Sequence, residues 1–209
     1  MKIIRPTGNK DLVIVKEILE QEEYEFITEF SYQKFYNSIA TEEQRAAISA
    51  PPIDNSDQEW AIEKHDLIIE KLVDSIKKLM IQEYPDFNLE KFTDFGGLNL
   101  RSIGSSMEPH TDGPGDIPFA GHGVKSVGAL YYPNDNYEGG GLAYPELDYV
   151  YKPVAGDLIM HKGEEPFFHA VQTVTSGWRF HFGMFGFEHY DAEEVIARLK
   201  KERPRDFTK

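Results

Sequence analysis

The chain has 209 residues, a formal net charge of −14 and no cysteine. That length suits one domain with a sizeable core. The acid excess argues against a broad nucleic-acid or anionic-membrane surface, which needs clustered Lys and Arg. It leaves room for a single buried arginine that holds an acidic ligand. Without cysteine there is no disulfide, thiolate metal site or thiol nucleophile, and a reducing compartment is allowed. No apolar run is long enough to span a bilayer. The opening Met1-Lys2-Ile3-Ile4-Arg5-Pro6 lacks the apolar core of a signal peptide. The expectation is a soluble, cytoplasmic protein.

Leu12-Val13-Ile14-Val15 is short and mostly β-branched, and reads as a strand. From Glu20 to Phe35 the apolar positions Tyr24, Ile27, Phe30 and Phe35 recur at helical spacing. Thr41-Glu42-Glu43-Gln44 reads as a capping box for a short helix that Pro51-Pro52 ends. Ser56-Asp57-Gln58-Glu59 is a second capping box. Behind it Ile62, Ile69, Leu72, Val73, Ile76, Leu79 and Met80 form one apolar stripe, which ends near Tyr84-Pro85 and serves as packing surface for a sheet. From Phe92 onward the pattern changes to short β-rich runs broken by Gly, Pro, Asn and Asp, as in a sandwich or barrel. Candidate strands are Leu98 to Ser102, Val127 to Tyr132, Tyr149 to Tyr151, Leu158 to His161, Ala170 to Val174 and Arg179 to Phe187. Pro133-Asn134-Asp135-Asn136 and Gly139-Gly140-Gly141 read as turns. A last amphipathic helix fits Ala192 to Lys200, with Asp191 as its N-cap. One domain is the simplest organisation: a helical part over about 20–85, a β core over about 92–188 and a closing helix over about 192–200.

Chemistry concentrates between Pro109 and Arg179. In His110-Thr111-Asp112 the period of two sends both metal-binding side chains the same way if the segment is extended. A second strand carrying His169 would add another imidazole. Two imidazoles and one carboxylate on one side of a metal leave positions open for substrate and oxygen, as in Fe(II) oxygenases. His-x-Asp alone is equally the mark of a polar loop whose Asp caps a turn. On the later strand Arg179, His181 and Gly183 share one face, opposite Trp178, Phe180, Phe182 and Met184. Arg179 is either a solvated arginine or a cation inside a β-barrel, and the second case demands an anion. A dicarboxylate co-substrate supplies one, bound by the guanidinium fork.

The ordered set His110-Thr111-Asp112, Leu130-Tyr131-Tyr132-Pro133, Gly139-Gly140-Gly141-Leu142-Ala143-Tyr144-Pro145, Pro153-Val154-Ala155-Gly156-Asp157, His169 and Arg179 resembles the 2-oxoglutarate- and Fe(II)-dependent dioxygenases, in their prolyl hydroxylase branch. The run from Leu12 to Phe30 also resembles that family's opening strand and helix. The resemblance implies a double-stranded β-helix, or jelly roll, with flanking helices. It implies that His110, Asp112 and His169 bind Fe(II), and that Arg179 holds the distal carboxylate of 2-oxoglutarate with the Tyr132 hydroxyl as a second donor. The reaction implied is hydroxylation of an aliphatic C–H bond as the co-substrate decarboxylates to succinate, with ascorbate a candidate accessory reductant. Asp112 implies hydroxylation in place of halogenation, since related halogenases lack that carboxylate. A prolyl residue of a peptide or protein is the first substrate the resemblance implies, ahead of other peptidyl side chains or a small metabolite. The chain departs from the pattern at Met107, where many prolyl hydroxylases carry Tyr, and at Leu142, where Thr is frequent.

Other residues have readings of their own. His161 is a pocket residue or an alternative third ligand, and His181 lines the co-substrate pocket. His122 is a solvated loop residue or a substrate contact, while His65 and His189 are structural or exposed. Tyr131, facing opposite Tyr132, belongs to the core. The Gly- and Pro-rich segment from Gly113 to Gly121 is a flap over the site or a plain surface connection. Two rival classes are a cupin-type metal enzyme that uses no keto acid and a non-enzymatic jelly-roll binding module. The cupin-type enzyme would not need Arg179, and the binding module would merely have kept these residues. The surface charge favours a neutral or basic substrate over DNA or RNA.

Overall fold

The computed structural model describes residues 1–38, 41–42, 55–93, 98–113 and 124–202. The second half of the expected Thr41–Gln44 capping box, most of the Gly113–Gly121 segment and His122 lie outside them. Thirteen strands and three α-helices make up the described residues: β1 Lys2–Ile4, β2 Leu12–Lys16, α1 Gln21–Ser38, α2 Glu59–Glu83, β3 Leu89–Phe92, β4 Asn99–Arg101, β5 Met107–His110, β6 Ser126–Tyr131, β7 Glu138–Gly139, β8 Leu142–Tyr144, β9 Tyr149–Tyr151, β10 Leu158–Lys162, β11 His169–Val171, β12 Val174–Ser176, β13 Arg179–Glu188 and α3 Ala192–Glu202. A major antiparallel sheet runs β1-β2-β10-β6-β13-β3, with β4 also pairing β13. A minor sheet runs β5-β11-β8-β9, and β7 pairs β12. No described helix is long and apolar enough to cross a membrane.

Alternation along the major sheet divides its residues between two layers. Val13, Val15, Val127, Ala129, Tyr131, Leu158, Met160, Phe182 and Met184 face α1 and α2. Leu12, Ile14 and Ile159 face the minor sheet, against Leu142, Tyr144 and Val171. Tyr131 is therefore core, as expected. Between the two sheets lies the space where His161, one residue beyond Met160, must point. The opening strand is part of the main sheet: Leu12 to Val15 pair with His161 to Leu158.

Three local expectations change. Helix α2 starts at Glu59 with Gln58 as N-cap and no side-chain cap bond, so Ser56-Asp57-Gln58-Glu59 is not a capping box. A turn closed by Gln58 N–H to the Asn55 carbonyl (2.9 Å) already occupies that segment. The buried stripe of α2 is Ala61, Ile68, Leu72, Ile76, Leu79 and Met80, whereas Ile62 is 40% exposed. The run Ala170 to Val174 is two strands, because β11 pairs β5 and β8 while β12 crosses to β7. At the other end, Asp191 caps α3 as expected: its Oδ1 accepts from Glu193 N–H (2.9 Å) and Glu194 N–H (3.2 Å). Leu72→Ala should lower the unfolding free energy by about 2–5 kcal/mol, from lost burial plus a cavity, while Ile62→Ala stays within about 0.5 kcal/mol. Urea denaturation of both variants checks the assignment of the helix face.

Candidate metal centre

Strand β5 ends on His110, and its partner β11 begins on His169. The two are cross-strand partners, so their rings meet with centroids 4.4 Å apart. Asp112 follows two residues after the end of β5. Its Oδ1 is 3.8 Å from His110 Nε2 and 3.8 Å from His169 Nε2. One ligand atom from each of the three lies within 4.8 Å of the others. His110 Nδ1 bonds the Glu108 carbonyl (2.9 Å), and His169 Nδ1 bonds the Phe167 carbonyl (3.0 Å). A carbonyl only accepts, so Nδ1 carries the proton in each ring and the Nε2 lone pair faces the carboxylate. Backbone-anchored imidazoles of this kind are the usual form of metal-ligating histidine.

A bulge brings further side chains to the same wall. Met107 pairs Val171 while His110 pairs His169, so β5 spans one more residue than β11. That extra residue lets Met107 and His110 both line a cavity of about 380 Å³. Its walls also carry Asp112, His169, Leu142, Arg101, Arg179, His181 and Gly183. The face of β13 read from the sequence is therefore the cavity face.

Arg179 is 1% exposed. Its Nη2 donates to the Tyr132 hydroxyl (2.8 Å), its Nη1 to His181 Nδ1 (3.3 Å), and its buried Nε has no partner. No carboxylate among the described residues lies within ion-pair distance. Asn134 clamps the backbone on both sides of it, donating to the Trp178 carbonyl (2.7 Å) and accepting from Phe180 N–H (2.9 Å). Gly140, in the left-handed region at φ 62°, leaves room for the side chain, since a Cβ there would stand 3.0 Å from Arg179 Cδ. The sequence gives Asn134 only a turn role. Its clamp depends on a contact with β13 that local pattern does not contain.

His161 comes closer to the cluster than its spacing required. It is fully buried, its Nδ1 bonds the Lys162 carbonyl (3.1 Å), and its unpaired Nε2 is 3.6 Å from Asp112 Oδ2. It thus adjoins the second carboxylate oxygen, outside the three-atom cluster. Of the remaining histidines, His65 stacks on Phe30 and His189 is exposed beside Glu90.

Burial sets the charge states here. It pushes His161 down to about 4 and His169 down to about 3, in the second case with help from His161. Burial and the Arg179 charge push His181 to about 3. Burial also raises Asp112, against the pull of His169 and His110. Neutral imidazoles are the form that ligates a metal. The Gly156-Asp157 turn serves structure: Lys16 of β2 reaches Asp157 Oδ2 (2.6 Å), tying the turn to the main sheet.

No protein-family model and no curated protein matches the chain. Solved structures do. A collagen prolyl hydroxylase of Paramecium bursaria Chlorella virus-1 superposes with a TM-score of 0.57 at 16% identity, covering 88% of this chain and 95% of that one. The same enzyme has been solved as a 2-oxoglutarate complex. A prolyl hydroxylase of Trichoplax adhaerens, in complex with a peptide fragment of a hypoxia-inducible factor, gives 0.58 at 16% identity over 91% and 88%. A prolyl 4-hydroxylase of Pseudomonas putida gives 0.56 at 16% over 87% of each chain. The chain has the prolyl hydroxylase fold. Within the prolyl hydroxylase fold the jelly roll here is two facing antiparallel sheets, with the His110–Asp112–His169 cluster between them.

Two outcomes follow from this geometry. A Cβ on Gly128 would sit 2.5 Å from Asp112 Oδ2 and 3.3 Å from His161 Cε1. Gly128→Ala must displace that carboxylate, and should weaken metal affinity roughly tenfold or more, read by calorimetry with Mn(II). The second outcome concerns acid. Below 6.5 the unfolded chain protonates His161, His169 and His181, while the folded chain does so only near 3 or 4. Metal-free stability is therefore complete above 6.5 and falls as pH drops, by up to about 1.4 kcal/mol per pH unit for each proton, with Asp112 offsetting part. Urea midpoints from pH 8 to 5 should decline, and His181→Asn should make the decline shallower.

Proposed function

We propose that this chain is a 2-oxoglutarate-dependent Fe(II) dioxygenase that hydroxylates an aliphatic C–H bond. One observation carries the reading: a two-imidazole, one-carboxylate cluster shares a cavity with a buried guanidinium that has no acid partner among the described residues. The cluster suits a divalent iron and the guanidinium suits a carboxylate. A cupin-type metal enzyme or a simple binding module accounts for the first feature and leaves the second without a purpose.

His110, Asp112 and His169 would hold the iron through Nε2, a carboxylate oxygen and Nε2. Arg179 would pair the distal carboxylate of 2-oxoglutarate. The Tyr132 hydroxyl accepts from Arg179, so its own proton remains free to donate to the same carboxylate. Iron, keto acid and O2 together, when bound, would supply the oxidant: one oxygen atom of O2 would enter the C–H bond and the other would enter succinate as CO2 leaves. The protein's part is placement and exclusion of water. Neutral imidazoles keep their lone pairs available, and Leu142, Leu130 and Val171 form the apolar part of the wall. A prolyl residue of a peptide or protein is the first candidate substrate, supported by the peptide-bound Trichoplax neighbour. Ascorbate is the candidate accessory reductant.

Anaerobic titration with Fe(II) and then 2-oxoglutarate tests the reading directly. A metal-to-ligand charge-transfer band should appear only with both. Asp112→Ala should abolish it. Arg179→Gln should keep the metal but raise the 2-oxoglutarate concentration for half-saturation by roughly thirtyfold or more, since truncating one partner of a buried charge pair costs about 2–5 kcal/mol. Iron binding with no keto-acid-dependent band would return the cupin-type alternative.

A further inference from the structure

Arg101 ends β4 directly opposite Arg179 of β13. Cross-strand partners share a face, so both guanidiniums enter one cavity, and both line it. Like charges in that relation repel. Neither has a carboxylate within ion-pair distance among the described residues, and the Nε of each is buried and unpaired. Among the described residues Arg101 has only weak contacts: its Nη1 donates to the Ser106 carbonyl (3.2 Å), and its Nη2 lies 2.8 Å from Met107 Sδ. Burial and the Arg179 charge both pull its pKa down, with Tyr132 the one opposing group. Two such cations side by side are unfavourable alone, and an anion between or beside them relieves that.

The two stand at different depths. Arg179 is 1% exposed and is engaged by Tyr132 and His181. Arg101 is partly exposed and leans on Met107, itself 38% exposed, so its fork stands toward the mouth. Charge balance gives each a separate anion. A divalent metal and Arg179, set against Asp112, are balanced by one dicarboxylate, which leaves the charge of Arg101 over.

We propose that Arg101 is a second carboxylate-binding group, reserved for the primary substrate, and that this substrate presents a carboxylate at the mouth of the cavity. The inference rests on the dioxygenase reading. It narrows the substrate to an acid, such as a free amino acid, an organic acid or a C-terminal residue, and so narrows the prolyl candidate to free proline or a C-terminal prolyl residue. It also replaces the expectation of a neutral or basic substrate, which came from the overall charge.

The test uses Zn(II)-loaded protein saturated with N-oxalylglycine, an inert analogue of 2-oxoglutarate, and trifluoroacetate as a small carboxylate probe followed by its 19F line width. The parent protein should broaden the resonance, and trifluoroacetamide, uncharged and similar in shape, should stay sharp. Arg101→Gln should remove the broadening, and Arg101→Lys should keep part of it, since it retains charge without the fork. In Arg101→Gln the affinity for N-oxalylglycine should hold within about threefold, whereas Arg179→Gln loses roughly thirtyfold or more. Broadening that survives Arg101→Gln overturns the proposal. So does equal loss of N-oxalylglycine affinity in the two variants, because Arg101 then belongs to the co-substrate. A parent that holds N-oxalylglycine yet leaves trifluoroacetate sharp sinks the second site alone, while one that binds no N-oxalylglycine takes down the dioxygenase reading with it.

Discussion

Asp112 is a buried carboxylate whose ion-pair neighbours are three imidazoles, and burial holds at least two of these neutral. In the same cavity, two guanidiniums have no carboxylate within ion-pair distance among the described residues. Desolvated charge is costly unless it is paired. Here the pairing is not made within the described protein: one end of the cavity calls for a cation and the other for an anion. The rest of the architecture keeps the two ends facing the same space while preventing them from collapsing onto each other. Residues optimised for stability alone would not be arranged this way, and functional sites are where such local rules are broken.

The sandwich achieves this by giving each end to a different sheet. The guanidiniums sit on β4 and β13, which pair with each other, and the imidazoles of His110 and His169 sit on β5 and β11 of the minor sheet. A bulge in β5 turns Met107 and His110 to one side, so a strand of four residues contributes two side chains where alternation alone would oppose them. Missing side chains matter as much. Gly128 on the major sheet makes space for Asp112 and His161, and Gly140 makes space for Arg179. Remote ties fix the frame: Lys16 on Asp157 joins the opening strand to the turn before β10, and Asn134 holds the start of β13.

The main cluster was legible in the sequence because its members are chemically distinctive and two of them sit two residues apart. The cavity face of β13 was legible for the same reason, since period two separates Arg179 and His181 from a plainly apolar set. What stayed hidden depends on pairing. Arg101 is unremarkable until β4 is placed opposite β13, and a three-residue strand carries no register signal of its own. The division of Ala170 to Val174 follows from a change of partner strand, which the local pattern cannot contain. Ile62 against Ile68 is a matter of helix phase: a stripe long enough to drift offers two overlapping faces near its N-terminus, and packing on the sheet selects one.

If the substrate is an acid, as proposed from Arg101, net charge is a poor guide to it because it describes the wrong distance. The excess acids act through water, where screening at physiological ionic strength confines them to about 8 Å. They repel an extended polyanion at every point of approach. A small acid meets that field only in passing. Once inside the cavity it meets two forks at contact range, in surroundings of low dielectric where each interaction is several times stronger than in water. A negative exterior around a positive interior can therefore exclude nucleic acid and still select a carboxylate. Selection of that kind resides in the register between two short strands, and surface composition carries no trace of it.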